Sequence, residues 1–297
     1  MGGKAPRPIG AQVGDHHAPL ARQRRPPHGR WSYTENAMIR TAIATRYVLP
    51  LREGGSLPAI VEADDLGIYV VKFRGAGQGT LALVAELVAG EIGRALGLRV
   101  PEIIFIHIDD VLGRNEPDYE IRQLLKASTG LNLALDYLPG STMFDPAARD
   151  AVTPEEASLA VWFDAFTQNV DRTPRNANLL MWHRKLYLID HGAAMYFHHN
   201  WEIMPQKAES PFPEIWKHVL LPWASQIPEA ARLAQSRLSP EILTEILAQI
   251  PDAWLQTASD PIPAVEKRAA YLDFFLRRLK SAHFFEQEAT NARTRLV

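Results

Sequence analysis

The chain has 297 residues, 46% of them hydrophobic, a formal net charge of −2 and no cysteine. That length and apolar content suffice for one large core or two small ones, and the near-neutral balance excludes polyanion binding by bulk charge. Lack of cysteine excludes disulfides, thiolate zinc sites and thiol nucleophiles, and no apolar run approaches the roughly 18 residues of a bilayer span, so the expectation is a soluble cytoplasmic protein with no transmembrane segment.

Residues 1–37 are rich in Pro, Gly and Arg and show no apolar periodicity. Lys4, Arg7, Arg22, Arg24, Arg25 and Arg30 stand against only Asp15 and Glu35, which makes this segment basic and the remainder mildly acidic. It carries too little apolar surface to offset the entropy of ordering and reads as a disordered tail. No aromatics are interleaved with its arginines, so it implies no specific nucleic-acid partner. Met38 stands where ordered sequence begins and is a candidate start.

From Arg40 the texture changes. "TAIATRYVLPL" (41–51), "PAIVEA" (58–63) and "GIYVVKF" (67–73) are β-branched and aromatic runs separated by "REGGSL" and "DDLG", which predicts three consecutive antiparallel strands. "TLALVAELVAGEIGRALGL" (80–98) carries Val84, Leu87, Val88, Ile92, Ala95 and Leu96 at helical spacing, with Gly97 suited to the C-cap and Pro101 close behind. The "RGAGQGT" before it lacks the GxGxxG spacing of a dinucleotide fingerprint and reads as a loop. A strand (102–109), a helix (117–127) and a strand ending at Pro139-Gly140 complete a β-rich part.

Beyond Pro139 the pattern turns helical. Thr153 followed by Glu156 fits a capping box for a helix through "EEASLAVWFDAFTQN". "ANLLMW" and "KLYLID" read as a short hairpin. Helices are expected at 213–221, 229–238 and 240–250, and a long one over 264–285. The fold class implied is α+β, with a β-rich part over 38–138 and a helical part over 139–297. His183, His191, His198 and His199 lie close together but match no metal-ligand spacing.

The stretch "NVDRTPRNANLLMWHRKLYLIDHG" (169–192) sets Asp171, Arg172, Asn176 and Asn178 before the hairpin and Asp190-His191-Gly192 after it. As turn residues, Asn and Asp at hairpin ends need no function. Phosphoryl transfer, however, requires a cation on the nucleotide phosphates, oxygen ligands for magnesium and a residue that orients the attacking hydroxyl. Asp171, Asn176 and Asp190 supply the last two, and the hairpin would bring them together.

The stretch resembles the catalytic segment of the HipA-like kinases, within the wider protein-kinase-like superfamily that includes phosphatidylinositol kinases. The resemblance implies a two-lobed kinase fold over about Thr41 to Phe197, with Asp171 as the catalytic Asp, Asn176 as the catalytic-loop Asn and Asp190 as the metal-binding Asp. It places Lys72 on the phosphates, pairs it with Glu86, and makes Gly54, Gly55 and Ser56 a phosphate loop. Glu91 is the rival partner for Lys72. "LALDYLPGS" resembles the hinge, whose backbone at Asp136, Tyr137 and Leu138 would hydrogen-bond adenine. Thr173 stands where many members have His, and Asp-His-Gly replaces the Asp-Phe-Gly of ordinary protein kinases. ATP and Mg2+ are the implied cofactors, and a hydroxyl acceptor, a protein serine or threonine, is the implied partner. A lipid or small-molecule kinase and a non-catalytic nucleotide-binding module are the alternatives.

Overall fold

The computed structural model describes residues 38–51, 57–77, 79–114, 116–147, 152–256 and 262–296. The β-branched runs form strands β1 (Thr41–Pro50), β2 (Ala59–Ala63) and β3 (Ile68–Lys72), each antiparallel to the next. Helix α1 (Gly79–Ala95), strand β4 (Ile103–Ile108), helix α2 (Tyr119–Ala127) and strand β5 (Gly130–Asp136) follow. Strand β5 lies between β3 and β4, antiparallel to both. A parallel pairing of Thr41 with Phe105 joins β1 to β4 and closes the five strands into a barrel.

Strand alternation separates two cores. Val61, Tyr69, Val71, Ile104, Ile106 and Ala134 fill the barrel, and Ile121 and Leu125 of α2 pack with them. On the opposite faces of β4 and β5, Ile103, Leu133 and Leu135 join the larger helical core. These two strands bury both faces, which explains their nearly continuous apolar sequences.

Helix α3 (Pro154–Thr167) opens on the expected capping box: Glu156 N donates to Thr153 Oγ1 at 3.2 Å, and Thr153 N donates back to the Glu156 carboxylate. Strands β6 (Thr142–Met143), β7 (Leu179–Trp182) and β8 (Lys185–Leu188) form a small antiparallel sheet. The β7–β8 turn places His183 and Arg184 at φ of 47° and 60°, the left-handed pair that a two-residue hairpin requires.

Helices α4 (Met204–Ala208), α5 (Ile227–Arg237), α6 (Pro240–Ala248), α7 (Asp252–Leu255), α8 (Ala264–Lys280) and α9 (Ala282–Thr294) complete the described chain. Two expectations need correction. The helix expected at 213–221 is instead a pair of short 3₁₀ turns, Pro213–Lys217 and Leu221–Trp223. The long last helix is broken at Ser281, and its second half runs on to Thr294. Among the described residues no helix is long and apolar enough to cross a membrane.

Candidate active site

Because β3 directs Tyr69 and Val71 into the barrel, Val70 and Lys72 point the other way, and Lys72 meets α1. Its Nζ lies 3.5 Å from Glu86 Oε2 and 2.5 Å from Asp190 Oδ1. Glu86 is 1% exposed, while Glu91 pairs with Arg94 on its own helix. Burial depresses the Lys72 ammonium, but Glu86 and Asp190 outweigh it and raise it above its ordinary value. Burial pushes the Glu86 carboxyl up, yet the Lys72 charge and the His191 hydrogen bonds hold it at about 2. Both groups are therefore charged, in the one arrangement that makes burying them tolerable.

Glu86 also reaches beyond Lys72. The backbone N–H of His191 donates to Glu86 Oε2 at 2.8 Å, and the His191 ring places Nδ1 3.4 Å from Oε1. Because a carboxylate only accepts, the proton sits on Nδ1. The ring stands edge-on to Phe163 of α3, with centroids 5.6 Å apart. Asp190 itself holds φ of 54°, a left-handed conformation that Asp tolerates better than most residues and that turns its carboxylate back onto Lys72. Lys72, Ala76, Ala82, Glu86, Asp190 and Gly192 line the small cleft at this junction.

Across the hairpin, Asn176 Nδ2 donates to Asp171 Oδ2 at 2.7 Å, which leaves the amide oxygen as the atom available to a cation. Burial, then the nearby Asp190 charge, raise the Asp171 carboxyl above its ordinary value. The loop carrying both is fixed from beneath by Arg172, which is 1% exposed. Its Nε donates to Asp164 Oδ2 at 2.5 Å, and its Nη1 donates to the carbonyls of Asn178 and Ile189, tying the two ends of the hairpin together. Asp164 further accepts from Asn169 Nδ2 at 3.1 Å and from His218 Nε2 at 2.8 Å. The His218 tautomer is set by Leu220 N–H, which donates to Nδ1, and Val219 N–H donates to the Arg172 carbonyl.

Asp164, His191 and His218 were not singled out as site residues from sequence. Asp164 left a readable signal, since an acid inside "LAVWFDAFT" is buried only where it is paired. His218 left none, because its partner lies 54 residues away. Gly54, Gly55 and Ser56 lie outside the described residues. At the expected hinge, the N–H groups of Asp136 and Tyr137 are committed to the carbonyls of Glu102 and Ile68. Those two amides are sheet donors. Burial and then the Glu102 charge push the Asp136 carboxyl up to about 6.

Among the described residues no three His, Cys, Asp or Glu side chains converge as a metal cage. Magnesium does not need one, since it takes one or two carboxylates and completes its shell with phosphate and water. The Asp190 carboxylate and the Asn176 amide oxygen are hard donors that fit such an ion.

A model of the HipA-like kinase family matches residues 45–288. No curated protein sequence matches the chain. Among solved structures, the Helicobacter pylori proinflammatory kinase CtkA is similar with a TM-score of 0.52 at 12% identity, over 87% of this chain and 99% of that one. At that identity the likeness is one of fold. The MAP kinase LmaMPK10 from Leishmania major aligns at 13% identity over 84% of each chain, but its TM-score of 0.24 carries no argument.

Proposed function

The chain belongs to the HipA-like kinase family, and on that premise we propose that it transfers the γ-phosphate of ATP to the hydroxyl of a protein serine or threonine. The observation that carries the proposal is the convergence of Lys72 Nζ, the Glu86 carboxylate and Asp190 Oδ1 at one point, drawn from a strand, a helix and a hairpin end. An ion pair between two such groups 4 Å apart, at an effective dielectric near 20, is worth up to about 4 kcal/mol before desolvation.

Lys72 binds the phosphates and Glu86 orients it. Asn176 and Asp190 hold magnesium, which when bound neutralises charge on the phosphate being transferred. Asp171 aligns the acceptor hydroxyl and takes its proton as the new oxygen–phosphorus bond forms and the bond to the ADP oxygen breaks. Arg172, through Asp164, keeps Asp171 in place. Leu138 offers the adenine contact, and Gly54, Gly55 and Ser56 cover the phosphates. The separate barrel core supports reading a β-rich lobe within 38–138 beside a helical lobe over 139–297, with α1 packed into the helical core. The acceptor class rests on the family.

The test is incubation with Mg-ATP labelled on the γ-phosphate, beside Asp171→Ala and Asp190→Ala, followed by intact mass and released phosphate. Transfer or hydrolysis by the parent is expected, with a loss of at least about a hundredfold in each variant. Parent protein that binds ATP but neither transfers nor hydrolyses it across a panel of protein substrates would favour a non-catalytic nucleotide-binding module.

A further inference from the structure

Helix α1, which carries Glu86, is buried continuously from Leu83 to Gly90. Its apolar residues belong to the same core as α3, α5, α6, α8 and α9, and none of them joins the barrel core. Both of its ends are also tied to the C-terminal helices. At the N-terminal end, Thr80 Oγ1 donates to the carbonyl of Trp254 in α7 at 2.9 Å. The Trp254 indole is 1% exposed; its Nε1 donates to the Leu131 carbonyl of β5 at 3.2 Å, and its ring meets Phe105 of β4 edge-on with centroids 5.5 Å apart. Trp254 thus joins the helix to the strands behind it.

At the C-terminal end, Arg237 of α5 donates to the carbonyl of Leu96. This satisfies one of the carbonyls that a helix end leaves without an intrahelical partner. Its guanidinium fills the space over Gly97, where a Cβ would stand 2.5 Å from Nη1, and Gly97 has a φ of +82°. The left-handed backbone favours glycine there, and any side chain would also have to push the Arg237 guanidinium aside.

In kinases generally, the Lys–Glu pair must be in place for phosphoryl transfer, and moving the Glu-bearing helix is a means of control. We propose that Trp254 and Arg237 are positioning residues, and that the C-terminal helices form a built-in clamp that holds α1, and with it Glu86, permanently in register with Lys72. The segment after Asp190 is fastened in the same way. Met195 N–H donates to the Thr167 carbonyl at 2.8 Å, and the Phe197 ring stacks on Phe274 of α8 with centroids 3.9 Å apart. The activity is then constitutive in its geometry: neither a partner nor a phosphorylation is needed to bring the ion pair together.

The clamp deepens the kinase reading and rests on it only for its activity readout. Thr80→Val, Arg237→Gln, Trp254→Phe and Trp254→Ala are made in the full chain, each alone and together with Glu86→Gln. Phosphate release from Mg-ATP and hydrogen exchange of the α1 amides are measured for every variant. Arg237→Gln and Trp254→Ala are expected to lower kcat about tenfold with KM for ATP changed less, and to speed α1 exchange about tenfold while the β2 and β3 amides stay as in the parent. Trp254→Phe, which keeps the contact with Phe105, should recover most of the loss. On Glu86→Gln the same substitutions should change kcat less than about twofold, because no ion pair is left to loosen. Losses that stack in full on Glu86→Gln, or α1 exchange as slow as the parent's in all variants, would overturn the clamp. Should Trp254→Ala not fold, Thr80→Val and Arg237→Gln, each removing one hydrogen bond, decide the matter. A parent that neither releases phosphate nor transfers it to a panel of protein substrates would count against the kinase reading, and the exchange readout would still test the clamp.

Discussion

A carboxylate without exposed surface has to be paired and hydrogen-bonded by its neighbours: Arg172 supplies the counter-charge to Asp164, and His218 and Asn169 donate to its remaining lone pairs. Burial pushes its carboxyl up, but the Arg172 charge and the His218 hydrogen bond hold it at about 2. His218 and His198 move the other way: burial lowers both, His198 to about 3, so each stays neutral in the fold. A depressed histidine contributes stability that is complete above its unfolded value, roughly 6.5, and is lost as pH falls below that value. Each such histidine should make the folding free energy fall by about 1.4 kcal/mol per pH unit, and for His198 the fall continues to about 3. Below roughly pH 4, Asp164 and Glu86, both depressed to about 2, add their own loss in the same direction. Urea midpoints should therefore begin to drop just under pH ~6.5, well before ordinary carboxylates titrate, and His198→Gln should flatten that drop. A midpoint level from about pH 7 to about pH 5 would mean that the histidines take up protons inside the fold. At this scale the sequence was half legible. Asp171, Asn176 and Asp190 stand out because they flank an apolar hairpin in a fixed order, whereas His218 acquires its role only from a partner far along the chain.

Helices α8 and α9 show how an element can be visible while its boundary is not. Phe274, Arg278, Ala282, Phe285, Ala289 and Ala292 keep three- and four-residue spacing through the break at Ser281, so the apolar stripe gives no warning of it. Strand β6 is two residues long, too short for an alternating pattern to exist. Arg278 sits at the break, fully buried, with Nη1 donating to the carbonyls of Lys207, Ala208 and Ser210 and Nη2 to that of Ala165 at 2.7 Å. Its guanidinium also lies 4.4 Å from the centroid of the Phe285 ring. One side chain thus supplies donors to the end of α4 and to α3 at once. Arg278→Leu would remove this donor from the carbonyls of Ala208, Ser210 and Ala165, while that of Lys207 keeps Gln168 Nε2 at 2.6 Å, and should cost about 3 kcal/mol or more, read as a lower urea midpoint with an unchanged slope. Arg278→Lys should recover little, since a single ammonium cannot span acceptors on two elements. Parent-like stability in Arg278→Leu would show that water replaces the guanidinium.

For the molecule as a whole, the boundary at residue 138 divides the sequence by composition, but the packing does not respect it. Barrel closure through β1 and β4 pairs residues some sixty positions apart and has no local signature; Thr41 and Phe105 look like any other strand residues. Helix α1 belongs to the β-rich part in sequence and to the helical core in packing, because its apolar residues run all round it and a helix of that kind needs neighbours on every side. Ile103, Leu133 and Leu135 extend that shared core onto the strands. The two parts should therefore unfold in one transition despite their different textures. Every tryptophan among the described residues lies beyond residue 138, so tryptophan fluorescence follows the helical part, and hydrogen exchange of β2 and β3 peptides follows the barrel. Across a urea series the two midpoints are expected to coincide, because exposing the barrel-facing side of α1 would strand the buried Glu86 without Lys72, a loss on the order of 3–5 kcal/mol for a broken buried pair. A barrel that exchanges freely at urea concentrations where the tryptophans remain buried would mean that the strands hold α1 less firmly than the helices do. Coincident midpoints in the parent that separate in Arg237→Gln would place the join between the two parts at the ends of α1.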